Sequence, residues 1–375
     1  MKKPLALFLI FILLLPLPVR AAGPEVRAKA ALLMEKSTGE VLYEENAHAP
    51  LEPASVTKIM TLLLIEEALD GGQITKETMV PVSANAAGMG GSQVFLEEGE
   101  SLSVDEMLKA IAVASGNDAS VAMAEYLAGS EEAFVERMNA KAAELGMEDT
   151  VFQNCTGLPA QGHHTSAYDI ALMSRELILN HPDIRNYTTI WMDSLRDGAF
   201  QLSNTNKLIR FYPGATGLKT GSTDSALYCL SATAEKEGME LIAVILGAPT
   251  SADRFDSAKA LLNYGFASYA LVTPAPSEPL GPIPVTLGTQ GTVMPVIEGE
   301  SQLLLPKEEA GTVTTTVDLP DEIPAPVEAG QTLGHLTILV NGQERDELPL
   351  VAGEAVERLS LWQVYRGLLT TLFRG

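Results

Sequence analysis

The sequence predicts an α+β fold, in which an antiparallel sheet is flanked by helices with a helical subdomain. A small all-β sandwich and a C-terminal amphipathic helix are predicted to follow. Strand-like runs open and close the first region of the chain, and helical runs lie between them. Prolines punctuate the chain just after Val272, where the composition changes. From Ser360 onwards there is no acidic residue, and apolar residues recur at helical spacing.

Size and composition set the first limits. With 375 residues, 46% of them hydrophobic, the chain exceeds one ordinary domain and can build substantial cores. Its formal net charge of −23, with no basic stripe, argues against nucleic-acid binding. The two cysteines, Cys155 and Cys229, are expected to be inert buried thiols, although an exported chain could bridge them. Neither lies in a metal-binding spacing, so we expect no metal.

Residues 1–21 have the pattern of an export signal. Lys2 and Lys3 supply the charged start, an apolar stretch follows, and Val19-Arg20-Ala21 resembles a cleavage site. The apolar stretch is short and contains prolines, which favours cleavage over a retained anchor. We therefore predict an exported protein whose fold begins after this segment.

Residues 26–270, called the first region below, are predicted to form one domain. Its strand-like runs are 30–36 and 40–44 across a Ser37-Thr38-Gly39 turn, short runs at 80–82 and 94–96, and central runs at 226–232 and 241–246. Its helical runs are 55–69, 104–114, 118–128, 131–145, 166–180 and 254–266. This order predicts a sheet that is completed by both ends of the region, with helices inserted between them.

Three further parts follow this domain. We predict a linker over 271–283 and a β-sandwich over 284–350, in which Asn341-Gly342 is a two-residue hairpin turn. The tail, 354–375, is predicted to be an amphipathic helix whose apolar face includes Trp362 and Tyr365. Its apolar run is too broken to span a bilayer. The favoured interpretation is a helix lying in a membrane surface, and the alternative is a helix packed on its own β domain or on a partner.

The candidate chemistry centres on Ser55-Val56-Thr57-Lys58, which follows Pro53 and precedes an apolar helical run. Residues three apart at a helix start lie on one face, so Ser55 and Lys58 bring a hydroxyl beside an amine. Such a serine becomes a nucleophile when a neighbour takes its proton. Lys58 can do so only when neutral, and burial or a second nearby cation would lower its pKa. Alone, the tetrapeptide also fits a helix N-cap followed by a solvated lysine.

Two further motifs make the pattern specific. Ser115-Gly116-Asn117 opens a second helical run, and Lys219-Thr220-Gly221-Ser222 leads into a strand-like run. Each alone has a structural explanation, as a helix N-cap or as the start of an ordinary strand. The three motifs in this order are the signature of penicillin-binding proteins and class A β-lactamases.

Beyond these motifs, the chain from about Ala30 onwards resembles the low-molecular-mass penicillin-binding proteins that are D-alanyl-D-alanine carboxypeptidases. The resemblance implies a β-lactamase/transpeptidase-like fold and no cofactor. Gly116 replaces the aspartate of the S-D-N variant, as it does in these carboxypeptidases. The other segments that carry the resemblance are Asp118-Ala119, Met138-Asn139, Leu145-Gly146-Met147, Gly157-Leu158, Ser166-Ala167-Tyr168-Asp169 and Asn263-Tyr264-Gly265-Phe266.

The resemblance also implies an activity and roles for the motif residues. The enzyme would remove the terminal D-alanine of peptidoglycan pentapeptide stems through an acyl-enzyme, and β-lactam antibiotics would inhibit it covalently. Ser55 would attack, Lys58 would take its proton, and Ser115 would relay the proton to the leaving amine. The implied substrate-binding residues are Asn117, Lys219, Thr220, Gly221, Ser222 and Arg254.

Within that set, the backbone N–H groups of Ser55 and Ser222 would form the oxyanion hole. Arg254, with Thr220 as its hydroxyl partner, would bind the substrate carboxylate. His163 and Asp169 are interpreted as residues that brace the site. The implied location is the outer face of the cell membrane, with the C-terminal helix as anchor.

Two alternatives to a carboxypeptidase remain open, whereas a third, a class A β-lactamase, is disfavoured by the sequence. A class A β-lactamase deacylates through a loop glutamate, and the loop Thr150–Ser166 contains none. An endopeptidase that cuts peptidoglycan cross-links would use the same chemistry. A non-catalytic wall-binding scaffold is also conceivable, although intact motifs argue against it.

Overall fold

The computed structural model describes the backbone of residues 23–374 and the side chains of residues 23–369. The predicted export signal, residues 1–21, therefore lies outside the described residues. The helices are α1 (Lys58–Asp70), α2 (Ala84–Ala87), α3 (Val104–Ala112), α4 (Asn117–Ala128), α5 (Glu131–Glu144), α6 (Ala167–Asn180), α7 (Arg185–Thr188), α8 (Leu208–Phe211), α9 (Ser251–Ser268), α10 (Lys307–Ala310) and α11 (Leu361–Arg374).

The strands begin with β1 (Ala30–Glu35), β2 (Val41–Glu45), β3 (Met79–Pro81), β4 (Ser101–Ser103), β5 (Met192–Leu195), β6 (Phe200–Ser203), β7 (Ala215–Thr223), β8 (Leu227–Lys236) and β9 (Met239–Ala248). They continue with β10 (Tyr269–Val272), β11 (Ile283–Thr286), β12 (Thr292–Val293), β13 (Pro295–Ile297), β14 (Leu303–Pro306), β15 (Val313–Asp318), β16 (Ile323–Pro324), β17 (Thr332–Val340) and β18 (Gln343–Ala352). Short 3₁₀ turns cover Ala54–Thr57 and Pro182–Ile184.

A five-stranded antiparallel sheet in the order β2-β1-β9-β8-β7 forms the centre of the first region. β1 and β2 make the predicted hairpin at one edge, and β8 and β9 are the predicted central strands. Because β9 pairs with β1, both ends of the region complete the sheet, as the sequence predicts. β7, which carries Lys219, lies at the opposite edge.

The sheet separates two hydrophobic cores. Side chains alternate along β1, so Leu32 packs with the helices α1 and α3–α6, whereas Leu33 packs with α9. α6 packs on β9 from the first side and α9 from the second. The helical subdomain therefore lies on one face of the sheet. The turn that leads into α1 contacts the edge strand β7.

One short predicted strand is wrong. The run Val94–Leu96 is an irregular loop, although Met79–Pro81 near the other predicted run does form β3. The loop is irregular because the buried Asp118 carboxylate accepts the N–H groups of Val94, at 3.0 Å, and Leu96, at 3.1 Å. Those donors would otherwise serve a strand ladder.

The C-terminal β domain contains strands in the orders β13-β18-β17-β15 and β12-β11-β16. Its predicted Asn341-Gly342 turn joins β17 to β18, with φ of +53° and +75°, as a type I′ turn requires. The predicted linker at 271–283 differs from the structure at its start, because β10 crosses residue 271 and pairs with β14. The first region is thereby hydrogen-bonded to the β domain.

The last helix starts later than the predicted residue 354. α11 begins at Leu361 because Ser360 and Gln363 cap it reciprocally: the Gln363 N–H donates to Ser360 Oγ, and the Ser360 N–H donates to Gln363 Oε1. Upstream, Val356 forms a β-bridge with Val327. Within residues 23–374, no helix combines the length and apolarity needed to cross a membrane.

Candidate active site

Ser55 lies in a tight turn at the start of the first long helix. Ala54–Thr57 forms a 3₁₀ turn that leads into α1 at Lys58. In a 3₁₀ turn, side chains three residues apart eclipse each other. This geometry places Lys58 Nζ 3.1 Å from Ser55 Oγ. The structure therefore brings together the hydroxyl and amine of the first motif.

Lys58 is fully buried, and its amine has two further partners. Nζ lies 2.6 Å from Asn117 Oδ1 and 2.7 Å from the Thr156 carbonyl oxygen. Burial lowers the pKa of Lys58 to about 7. A neutral amine has two N–H groups and one lone pair. If the two N–H groups bond to Asn117 and Thr156, the lone pair faces the Ser55 hydroxyl.

The second and third motifs also meet in the cleft. Lys219 Nζ donates to Ser115 Oγ at 2.9 Å and to its neighbouring Thr220 carbonyl at 3.0 Å. The pKa of Lys219 lies well below its ordinary value, first because of burial and then because of the charges of Lys58 and Arg254. For Lys58 itself burial is the leading cause, so of the two predicted causes burial dominates there.

Two residues of this cleft have left-handed backbone angles that side chains disfavour. Ala54, just before the candidate nucleophile, has φ +49°, and Ser115 has φ +64°. Such conformations persist where the surrounding structure fixes them, and they cluster at functional sites. Here they aim the hydroxyls of Ser55 and Ser115 at the two lysines.

Two glycines allow the backbone to close around Ser55. A Cβ on Gly221 would lie 2.8 Å from the Ser55 nitrogen, so only glycine lets β7 approach that N–H group. A Cβ on Gly157, whose φ is +83°, would lie within bonding distance of the Ala54 carbonyl oxygen. The edge strand and the loop at 154–158 therefore hold the turn from two sides.

The remaining predicted residues lie near the cleft with different partners. Both amide atoms of Asn117 contact the protein, since Oδ1 meets Lys58 and Nδ2 donates to the Gly90 carbonyl at 2.7 Å. Ser222 is exposed beside Gly221. The buried Arg254 donates from Nη1 to the Gly221 carbonyl, at 3.2 Å, and its Nε finds no hydrogen-bond partner among the described residues 23–374.

The predicted bracing residues hold the loop 149–165. His163 Nδ1 accepts the Gln153 N–H at 3.0 Å, so Nε2 carries the proton and donates to Thr57 Oγ1 at 2.8 Å. Burial lowers the pKa of His163 to about 4, which keeps the ring neutral. Asp169 accepts from Thr150 Oγ1 at 2.6 Å. Cys155 and Cys229 are free and buried, as expected.

Comparison with known proteins agrees with this geometry. Residues 18–250 match the family described as D-alanyl-D-alanine carboxypeptidase, and residues 275–358 match the C-terminal domain of penicillin-binding protein 5. The chain belongs to the D-alanyl-D-alanine carboxypeptidase family. It is 46% identical over 336 residues to D-alanyl-D-alanine carboxypeptidase DacF of Bacillus subtilis. The aligned residues cover 88% of this chain and 86% of DacF. DacC of Escherichia coli is 34% identical, over 89% of this chain and 86% of DacC.

Solved structures support the same assignment. Penicillin-binding protein 5 from Haemophilus influenzae aligns with a TM-score of 0.74 and 28% identity, over 90% of this chain and 99% of that chain. Penicillin-binding protein D2 from Listeria monocytogenes, solved in its ampicillin-bound form, aligns with a TM-score of 0.59 and 32% identity, over 64% of this chain and 98% of that chain. The match with the first covers the β domain as well.

Sequence reasoning missed two parts of the site. The Thr156 carbonyl, an acceptor for Lys58, belongs to the backbone and has no sequence signal. Thr205, whose Oγ1 accepts the Thr220 hydroxyl proton at 2.6 Å, lies in no recognised motif. Its flanking residues Asn204 and Asn206 form an N-x-N pattern that could have marked a pinned segment.

Proposed function

We propose that this family member is a serine-type D-alanyl-D-alanine carboxypeptidase, which removes the terminal D-alanine of peptidoglycan stem pentapeptides through an acyl-enzyme on Ser55. The observation that carries this proposal is the 3.1 Å contact between Ser55 Oγ and a fully buried Lys58 amine. Its pKa of about 7 leaves a large neutral fraction at neutral pH.

In the acylation step, Ser55 Oγ attacks the carbonyl carbon of the penultimate D-alanine while Lys58 accepts the hydroxyl proton. The oxyanion that forms on the carbonyl oxygen is stabilised by the backbone N–H groups of Ser55 and Ser222. Loss of one such donor typically costs about 10²–10³ in rate. The close approach of Gly221 to the Ser55 nitrogen supports this arrangement.

Collapse of this intermediate expels the terminal D-alanine. Its amine takes a proton from the Ser115 hydroxyl, which is hydrogen-bonded to Lys219, and Ser115 receives in exchange the proton that Lys58 took from Ser55, so that Lys58 is neutral again. A substrate carboxylate beside Lys219 favours the charged form of that lysine, although burial opposes it in the free enzyme. Water then attacks the ester carbonyl while Lys58 accepts its proton, and Lys58 returns that proton to Ser55 Oγ as the acyl group leaves.

The test is incubation with a synthetic stem pentapeptide, followed by mass spectrometry. We expect loss of one alanine with the wild type and no loss with Ser55→Ala. A fluorescent penicillin should label the wild type at Ser55 and leave Ser55→Ala unlabelled. Labelling without alanine release would indicate an endopeptidase, and absence of labelling would indicate a non-catalytic scaffold.

We also propose that the enzyme acts outside the cytoplasm, with α11 lying in the membrane surface. Four large apolar side chains of this helix are strongly exposed, and the Trp362 and Tyr365 rings stack with centroids 5.7 Å apart. Aromatic and aliphatic residues on one face suit the boundary between headgroups and acyl chains. The exposed four are Leu361, Trp362, Tyr365 and Leu368.

Vesicle flotation tests this location. The double variant Trp362→Ser/Leu368→Ser should lose most binding to anionic phospholipid vesicles but hydrolyse soluble peptide normally. The flotation of Gln363→Ser is measured separately, because this variant weakens the helix cap without removing apolar surface. Thr316→Ser in β15 serves as the neutral control. Equal flotation of the double variant and wild type would contradict the proposal.

A further inference from the structure

The edge strand that carries Lys219 contains one extra residue near its start. Ala215 of β7 pairs with Ala234 of β8. Gly217, two residues later in β7, pairs with Thr233, only one residue away in β8. Thr216 therefore forms a β-bulge, at which β7 gains a residue that has no partner in the ladder. A shift of one residue turns every later side chain of a strand to the opposite face.

The bulge decides which face of the sheet Lys219 occupies. Ala215, before the bulge, packs in the hydrophobic core on the α9 side. Lys219, after the bulge, pairs with Ser231, whose hydroxyl lies 2.8 Å from that of Ser174 on α6, on the other side of the sheet. In a regular strand, residues four apart point to the same face. Without the bulge, Lys219 would face α9 and point away from Ser115.

The side chain of the bulge residue is tied to a carboxylate in β9. Thr216 Oγ1 lies 2.7 Å from Glu240 Oε1 and 2.8 Å from Thr233 Oγ1. A carboxylate only accepts hydrogen bonds, so the single Thr216 hydroxyl proton goes to Glu240, and Thr233 donates to Thr216. Hydrogen bonds to an ionised group are stronger than neutral ones. The Glu240 bond is therefore the stronger of the two.

Glu240 is itself a fixed group. It is buried, and its second oxygen, Oε2, accepts from Arg185 Nη2 and lies 3.0 Å from Lys36 Nζ. A buried carboxylate is costly unless it is paired and hydrogen-bonded, and here both requirements are met. Its two oxygens have different partners, because Oε2 contacts two cations and Oε1 contacts the bulge.

The backbone of the bulge is held from the outer side. Thr188 Oγ1 donates to the Thr216 carbonyl at 2.7 Å, and Asn206 Nδ2 donates to the Gly217 carbonyl at 2.8 Å. Because β7 is an edge strand, its outward carbonyls have no neighbouring strand to bond to, and side chains take that place. These bonds fix the outside of the bulge, whereas the Thr216 hydroxyl links it to the interior of the sheet.

We propose that Glu240, through its hydrogen bond with Thr216, is a positioning residue that fixes the β7 bulge and keeps Lys219 turned into the cleft. There Lys219 Nζ donates to Ser115 Oγ at 2.9 Å. The consequence for catalysis rests on the proposed carboxypeptidase function. In the competing role, Glu240 only stabilises the fold through its two cations. The two roles differ in whether loss of the Thr216 bond releases Lys219 while the rest of the cleft stays closed.

Four variants separate these roles. Thr216→Val removes the hydroxyl but keeps the branched shape, and Thr216→Ser keeps the hydroxyl. Lys36→Met removes an ion pair from the other oxygen of Glu240 and leaves the bond to the bulge intact. Thr233→Val removes the second hydroxyl partner of Thr216 and also leaves the Glu240 bond. The last two are therefore the matched controls.

The first measurement is acetylation of lysine amines with a trace of acetic anhydride, followed by peptide mass spectrometry. Lys58 and Lys219 are both buried, whereas the side chain of Lys259 is 39% exposed and serves as the internal standard. In Thr216→Val, the acetylation of Lys219 should rise by about 10- to 100-fold, the factor for a lost hydrogen bond to a charged group. Lys58 should stay protected. Thr216→Ser and both controls should match the wild type.

The second measurement is the rate of acylation by a fluorescent penicillin. Thr216→Val should react about 10- to 100-fold more slowly, because a displacement of about 1 Å at a reacting group can cost about 10²-fold. Thr216→Ser should restore the rate. Lys36→Met should stay within about twofold of the wild type even where thermal unfolding shows that it is less stable.

Three results would overturn the proposal. An equal rise in the acetylation of Lys58 and Lys219 would indicate general loosening of the fold, and no rise in either would mean that the bulge does not depend on Thr216. A control variant that releases Lys219 as Thr216→Val does would show that the bond to Glu240 is not the anchor. A wild type that penicillin does not acylate would contradict the proposed function, and the acetylation of Lys219 would still decide the role of Glu240.

Discussion

The first region and the β domain bury very different side chains. In the region of the five-stranded sheet, two lysines, an arginine and several carboxyl groups lie in the interior. In the described strands β11–β18 and the loops between them, Ser301 is the one buried polar residue, and the rest of the interior is apolar. Burying charge without full compensation costs free energy. The difference indicates that the first region carries the desolvation cost of its buried charged groups, whereas the interior of the β domain is stabilised by apolar burial.

The largest effect should come from removing a buried charge-bearing group of the first region. Lys58→Ala deletes the base, and general-base contributions are typically about 10²–10⁴-fold. We expect at least this loss in the rate of acylation by a fluorescent penicillin. The matched control is Lys259→Ala, which removes a more exposed lysine of α9 and should acylate normally. A normal acylation rate in Lys58→Ala would refute the assignment of the base.

A steric change beside the candidate nucleophile should have the second-largest effect on the acylation rate. Gly157→Ala places a methyl group against the Ala54 carbonyl and requires φ +83° from a residue that disfavours it. The turn carrying Ser55 must shift, and a displacement of about 1 Å can cost about 10²-fold in rate. The same assay measures it. Gly162→Ala is the control for backbone strain, because it lies in the same loop at φ +84° and its added Cβ would meet only the Gln153 side-chain nitrogen, at an ordinary contact distance of 3.5 Å.

A change of pH should have a smaller effect. Because burial lowers the pKa of Lys58 to about 7, its neutral fraction rises about tenfold between pH 6 and pH 8, and the acylation rate should rise with it. Folding stability should also increase with pH from about 7 towards the ordinary value of 10.5. In that window the unfolded chain binds the lysine proton and the folded chain does not.

This profile is measured with penicillin acylation and with thermal unfolding across the same pH range. A rate that stays flat between pH 6 and pH 8 would show that Lys58 does not lose its proton in that range. In Lys58→Ala, folding stability should rise less with pH than in the wild type. The difference between the two is the contribution of Lys58 and separates it from the other titrating groups.

The smallest effect on catalysis should come from the β domain. Ile338 is fully buried in β17. Ile338→Ala should destabilise the β domain by about 2–5 kcal/mol, the cost of a large-to-small change in a core. It should leave kcat/KM within about twofold, because β17 pairs with β15 and β18 of the β domain and not with a strand of the cleft. A large loss of activity in a folded variant would mean that the two regions are coupled through β10 and β14.

Local patterns were sufficient for much of the fold. Apolar alternation predicted β8 and β9, helical spacing predicted α4 to α6, and Asn341-Gly342 predicted its hairpin turn. The run Val94–Leu96 has a strand-like composition but no strand, because a carboxylate distant in sequence takes its N–H groups. The start of α11 depended on a Ser360–Gln363 cap that a broad periodicity does not locate.

In the candidate active site, too, some features could be predicted from the sequence and others could not. Serine, lysine and asparagine at their motif spacings predicted which groups come together, because the chemistry requires those side chains. No motif identified Thr205, since its place in the site depends on a hydrogen bond to Thr220 of the adjacent strand β7. The same holds for the Thr156 carbonyl, a backbone group that every residue has.

By itself, the sequence determined the family, the main helices and central strands, and the motif side chains that meet in the cleft. Tertiary structure alone decided how the cleft is charged, because a lysine has its ordinary pKa until folding removes water from around it. Burial of Lys58 and Lys219 depends on contacts between parts of the chain far apart in sequence.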